Sequence, residues 1–92
     1  MTESILSNER VCYICGSPEV VVHHCFYGTA NRSLSDEQGC WIYLCPAHHT
    51  GREGVHFRKE LDLRVKQACQ EAWEEQKGTR DDFIRIFGRS WL

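Results

Sequence analysis

Two short apolar runs followed by a helical stripe organise the chain. Glu19-Val20-Val21-Val22-His23-His24-Cys25-Phe26-Tyr27 is β-branched and apolar and predicts a strand. Cys40-Trp41-Ile42-Tyr43-Leu44-Cys45 predicts a second, shorter one. Between them Gly28 to Gly39 is polar with a glycine at each end, which predicts a loop. Pro46 cannot continue a ladder but suits the first turn of a helix. Beyond Gly51 and Gly54 the period changes. Phe57, Leu61, Val65, Ala68, Cys69, Ala72 and Trp73 recur at helical spacing and predict a helix from about residue 55 to 77, with Gly78 as its stop. Thr79-Arg80-Asp81-Asp82 has threonine at a cap position and an acid three residues later, ahead of a short helix over Asp81 to Phe87 that Gly88 ends. Phe83, Ile84, Ile86, Phe87, Trp91 and Leu92 are expected to pack onto the long helix, with a dimer surface as the other use for Trp73 and Trp91. Residues 1–10 are polar and read as frayed.

With 92 residues, the chain has room for one domain, 1–92: a lead-in over 1–10, a strand-bearing core over 11–56 and a helical part over 55–92. A hydrophobic fraction of 41% builds only a thin core at this length, so a staple is expected. The opening residues show neither the basic nor the apolar region of a secretion signal, and no run is long enough to span a membrane. The expected location is therefore the cytoplasm, where paired cysteines favour metal over disulfide. Net charge is −2 and unevenly spread. Residues 1–50 hold two arginines against five acids, and residues 51–92 hold nine basic against eight acidic side chains. No basic stripe of the kind that grips nucleic acid is visible.

The cysteines and histidines say what the staple is. Cys12-Tyr13-Ile14-Cys15 is one half-site and Cys45-Pro46-Ala47-His48 the other. Two residues between ligands let a tight turn aim both side chains at one tetrahedral zinc. Two disulfides, or free core cysteines, are the competing reading. Cys25, Cys40 and Cys69 are left over and read as small buried hydrophobes.

His23, His24, His49 and His56 remain. Neighbouring positions point to different sides, so His48 can face the zinc while His49 faces elsewhere. Likewise one of His23 and His24 can bind an ion while the other faces a substrate. A metal-assisted hydrolase divides its labour that way, with an ion polarising a phosphoryl oxygen and a neutral imidazole taking a proton from water.

The knuckle at Cys12, the strand ending in His23-His24, and Leu44-Cys45-Pro46-Ala47-His48-His49 together resemble the HNH endonuclease family, in particular its small bacteriophage-encoded members. The resemblance spans most of the chain. It implies an α+β fold: a zinc-stabilised ββα-metal, treble-clef-like domain carrying a long C-terminal helix and a short terminal helix. It implies a structural Zn²⁺ on Cys12, Cys15, Cys45 and His48. It further implies a catalytic divalent cation (Mg²⁺, Mn²⁺ or Ni²⁺) on His23, His49 and His56, with Glu53 as the alternative to His56, and His24 as general base. The family's asparagine would fall at Cys40, a departure that removes a loop brace. Asn31 lies too early to replace it. DNA would be cut at a phosphodiester bond from the minor-groove side, leaving a 5′ phosphate. Arg52, Arg58 and Lys59 are candidate phosphate contacts, an ordinary solvated face being the other reading. Two alternatives stay open: a non-catalytic zinc module that binds nucleic acid or protein, and a nuclease subunit active only within a larger complex of phage proteins. No membrane partner is expected, and a homodimer is left open.

Overall fold

The computed structural model describes residues 2–92. Its elements are β1 (Val21–His24), α1 (Asn31–Gln38), β2 (Trp41–Leu44), α2 (Pro46–His49), α3 (Lys59–Gln76) and α4 (Arg80–Phe87), an α+β arrangement on a two-stranded sheet. β1 and β2 run antiparallel, pairing Val21 with Leu44, Val22 with Tyr43, His23 with Ile42 and His24 with Trp41. Both strands are shorter than the apolar runs containing them. One further backbone bond, Cys25 N–H to the Cys40 carbonyl at 2.9 Å, follows the ladder. Phe26 then leaves the sheet, giving both its backbone groups to the Ser35 hydroxyl, at 3.2 Å for its N–H and 2.6 Å for its carbonyl.

That contact marks the main correction to the sequence reading. The expected loop over Gly28–Gly39 contains a two-turn helix, α1. Its inward face is only the partly buried Leu34 and the fully buried Ser35, so no apolar stripe announces it. Gly39 ends it in the left-handed conformation, φ 75°, where a side chain would be strained and would strike the Glu3 carbonyl.

The lead-in is docked rather than frayed. Ser4 is buried, and its hydroxyl donates to the Trp41 carbonyl at 2.6 Å. Ile5 N–H donates to Gly39 at 3.0 Å, and the Trp41 indole donates to the Thr2 carbonyl at 2.7 Å.

α2 is a single turn with Pro46 in its first position. α3 begins later than the periodicity suggests because residues 50–58 form a tight return over α2, and Phe57 is left 69% exposed. Val65, Cys69, Gln70 and Trp73 form its buried face. α4 carries the full capping box, Asp82 N–H on Thr79 Oγ1 and Thr79 N–H on the Asp82 carboxylate, both at 3.2 Å.

The helical part closes on an aromatic cluster. Phe26 meets Phe87 and Trp91 at 4.7 Å between ring centroids, and Phe83 at 5.3 Å. Trp73 packs edge-on against Phe83, so both tryptophans in question serve the protein's own core. Ile84 and Leu92, expected in that core, are exposed. The chain end is instead held by a buried polar residue: Gln70 accepts from Trp91 N–H at 2.8 Å and donates to Ser90 Oγ at 2.9 Å. Cys25, Cys40 and Cys69 are fully buried within the same core. The contact with Cys69, then burial, raises the pKa of Cys40 far above the ordinary thiol value, and the contact with Cys25, then burial, outweighs the opposing contact with Cys40 and raises that of Cys69, as expected for inert core sulfurs. Among the described residues, no helix is long and apolar enough to cross a membrane.

Candidate functional site

Two groups of metal-ligating side chains stand on either side of α2. The first joins Cys12, Cys15, Cys45 and His48, whose ligand atoms all lie within 4.8 Å of one another. The knuckle turn closes through Gly16 N–H to the Cys12 carbonyl at 2.8 Å, and Tyr13 N–H to the Tyr43 carbonyl, also 2.8 Å, holds it against the start of β2's exit. The Sγ atoms of Cys15 and Cys45 are 3.7 Å apart, and His48 Nδ1 lies 3.2 Å from Cys45 Sγ and 3.8 Å from Cys12 Sγ. An ion holding thiolates at about 2.3 Å and imidazoles at about 2.0 Å in a tetrahedron sets edges of about 3.8 Å between sulfurs and about 3.5 Å between sulfur and nitrogen. The group can hold a metal ion such as zinc. Burial opposes ionisation of Cys12, but the backbone amides of Cys45, Cys15 and Ile14 outweigh it and bring the thiol down to about 6. A thiolate is the form that ligates.

The second group joins His23, His49 and His56, again with ligand atoms within 4.8 Å of one another. β1 supplies His23, 3% exposed and with its Nε2 buried and lacking any hydrogen-bond partner. α2 supplies His49 and the return after it supplies His56. Their Nε2 atoms are 3.2 Å apart. The return works only with glycine: a Cβ on Gly54 would sit 2.5 Å from the His49 carbonyl, and one on Gly51 2.7 Å from that of Ala47. Through it Val55 N–H reaches the His48 carbonyl at 3.0 Å and His56 N–H the His49 carbonyl at 3.3 Å, setting the two imidazoles side by side.

These rings are suited to an ion. Burial lowers the pKa of His23 to about 3, with help from His49, His56, His24 and Lys66 nearby, so the ring is neutral and its lone pair free. His49 is lowered by burial and by His56. A buried imidazole nitrogen without a partner calls for an explanation, and an ion is a direct one.

His24 is not part of that group but lines the same cavity of about 300 Å³, with His23, His49, His56, Tyr27 and Arg32. Its Nε2 lies 3.3 Å from Asp36 Oδ1 on α1. Glu53, the alternative to His56, is turned away, its carboxylate held by Arg58 at 2.8 Å. Arg58 is thereby engaged, and Arg52, Arg58 and Lys59 are all absent from the cavity wall. The cation that does line it is Arg32, which has no salt bridge among the described residues. Sequence reading missed it because α1 itself was not recognised.

Also unforeseen is the support from α3. Tyr27 donates its hydroxyl to Asp62 at 3.0 Å, Lys66 pairs with Asp62 at 2.9 Å, and the Lys66 ammonium sits 4.4 Å from the centre of the Tyr27 ring. Burial and the Asp62 carboxylate push the Tyr27 hydroxyl pKa up. The i, i+4 spacing of Asp62 and Lys66 was legible, but not its place beside Tyr27, 6.0 Å from His23 between ring centres. Cys40, at the position of the resemblance's asparagine, is buried and points no polar group at the cavity. Ser35, fully buried, braces the end of β1 against α1 with its two bonds to Phe26.

No protein-family model, curated protein or solved structure matches the chain.

Proposed function

We propose that this chain is a metal-dependent DNA endonuclease of the HNH type, built on a zinc-stabilised ββα-metal domain. The observation that carries the reading is the second histidine group. Three imidazoles from β1, α2 and the glycine return converge, one with a buried and unpartnered Nε2, while His24 faces the same cavity uncommitted to the group. A purely structural module has no use for a second set of ligands beside the first.

The Cys12, Cys15, Cys45 and His48 group holds Zn²⁺ and ties the knuckle to the end of β2. His23, His49 and His56 hold a divalent cation such as Mg²⁺, Mn²⁺ or Ni²⁺, which when bound supplies charge stabilisation at the phosphoryl oxygens. His24 takes the proton from the attacking water. Arg32 holds a non-bridging phosphate oxygen at the cavity wall. The substrate is DNA, and the place of action is the cytoplasm of the cell that contains it.

The net charge of −2 favours one refinement, in which a partner protein, such as another component of a phage complex, supplies most of the grip on the duplex.

The test is conversion of supercoiled plasmid by zinc-loaded protein with Mg²⁺, Mn²⁺ or Ni²⁺, beside an EDTA control and His24→Ala. Nicked or linear product that needs the ion and falls about 10²- to 10⁴-fold in the variant is expected. A folded, zinc-loaded protein inert with every ion would move the reading to a binding module.

A further inference from the structure

We infer that Asp36 is a positioning residue for His24, holding its imidazole with the proton on Nε2 and the lone pair of Nδ1 toward the cavity. The inference rests on the endonuclease reading above, in which His24 is the base.

The pairing spans two elements, β1 and α1, at 3.3 Å between His24 Nε2 and Asp36 Oδ1. An ion pair or hydrogen bond on a free surface is worth little, because two flexible side chains must be ordered to make it. Here the backbones beneath both groups are fixed. Ser35, the residue before Asp36, is fully buried and makes both its bonds to Phe26, two residues after His24. Its carbonyl accepts from Cys40 N–H at 2.7 Å, and the Cys40 carbonyl accepts from Cys25 N–H at 2.9 Å. α1 is thus stitched to the end of β1 immediately beside the carboxylate. The Asp36 carboxylate has no other hydrogen-bond or ion-pair partner among the described residues, so nothing competes for it.

A neutral imidazole has one donor and one acceptor nitrogen, and a general base must present the acceptor. A carboxylate accepts only, so its contact selects the tautomer with hydrogen on Nε2 and leaves Nδ1 to receive a proton. It also steadies the imidazolium that forms when the proton arrives. Arg32, one helical turn back from Asp36, also borders the cavity, so α1 brings an orienting carboxylate and a cation to the same side.

The experiment compares wild type, Asp36→Ala, Asp36→Glu and His24→Ala, each zinc-loaded and with Mg²⁺. Plasmid cleavage is measured beside long-range ¹H–¹⁵N spectra of the imidazoles. The expected result is a roughly 10²-fold loss of kcat in Asp36→Ala with KM little changed, partial recovery in Asp36→Glu, and a His24 ring that is Nε2–H in wild type but mixed in Asp36→Ala. Wild-type cleavage and an unaltered His24 spectrum in Asp36→Ala, with His24→Ala inactive, would overturn the role of Asp36 alone. His24→Ala cleaving like wild type would overturn the assignment of His24 as base and the positioning role with it, whereas folded, zinc-loaded wild type inert with every ion would overturn the endonuclease reading itself.

Discussion

The backbone N–H of His56 donates to the carbonyl of His49, and the Nε2 atoms of the same two residues stand 3.2 Å apart. Seven residues separate them in sequence, and one glycine-dependent return brings them together. Either alanine substitution, His49→Ala or His56→Ala, is expected to weaken binding of the second ion by more than about 100-fold, since losing even an outer-shell partner costs 10- to 100-fold. Gly54→Ala should weaken it as well without removing a ligand, because its Cβ meets the His49 carbonyl. Glu53→Gln should leave it near wild type. Calorimetric titration with Mn²⁺ or Ni²⁺ distinguishes these cases, and a large loss in Glu53→Gln would contradict the assignment.

Removing the first ion should unfold the chain. The aromatic cluster lies under the helical part, whereas the Cys12–Cys15 knuckle is joined to the sheet by the Tyr13 N–H bond to the Tyr43 carbonyl and by its shared ligand group with Cys45 and His48. Binding energy at a site of this kind is folding energy. Cys45→Ser, or excess chelator on wild type, is expected to abolish the cooperative thermal transition seen by circular dichroism. A chelated protein that still melts cooperatively near the wild-type temperature would show that the core stands alone.

His23 gives the fold a pH dependence of definite sign. The unfolded chain takes up a proton on this ring near pH 6.5, whereas the folded one, through burial first and neighbouring cations second, does so only near pH 3. Its contribution is therefore complete above pH 6.5 and is lost as the pH falls toward 3. In urea denaturation between pH 7 and 5, wild type should lose up to about 1.4 kcal/mol per pH unit relative to His23→Gln, which has no proton to gain. Parallel profiles would contradict this.

Arg32 and Arg58 make a matched pair of controls. Arg32 lines the cavity without an acidic partner, and Arg58 is occupied by Glu53. Arg32→Ala is expected to raise KM for plasmid about tenfold, in keeping with the loss of one charge-assisted contact, and Arg58→Ala to change it less than twofold. The reverse order would place the phosphate on the other side of the return.

The sequence carried the strands, the capping box at Thr79 and the grouping of Cys12 and Cys15 with Cys45 and His48, because each rests on local chemistry: β-branched runs, an acid three residues after a threonine, paired ligand types two residues apart. The grouping of His23, His49 and His56 is implied by the family resemblance and by no local spacing. The sequence concealed α1, since a helix whose buried face is Leu34 and a hydrogen-bonded serine has no hydrophobic period. It also misdirected the start of α3, because Phe57 fits the apolar spacing while the close approach of Gly54 to His49 forbids the helix from beginning there. Gln70 shows the same limit from the other side: a polar residue on the apolar face is buried because the chain end, far away in sequence, needs its amide. Asp36 and Arg32 went unseen for the reason α1 did, and with them the half of the site that faces His24.

His48 and His49 are consecutive on the single turn of α2, one directed to each ligand group. A turn so short has no stability of its own. Under the endonuclease reading the two ion sites are therefore coupled through one turn of backbone: an ion that fixes His48 also steadies His49, whose backbone is already held by its bond to the Cys45 carbonyl and by the His56 N–H. Loading the first group is expected to tighten binding at the second, and depleting the first metal to weaken it.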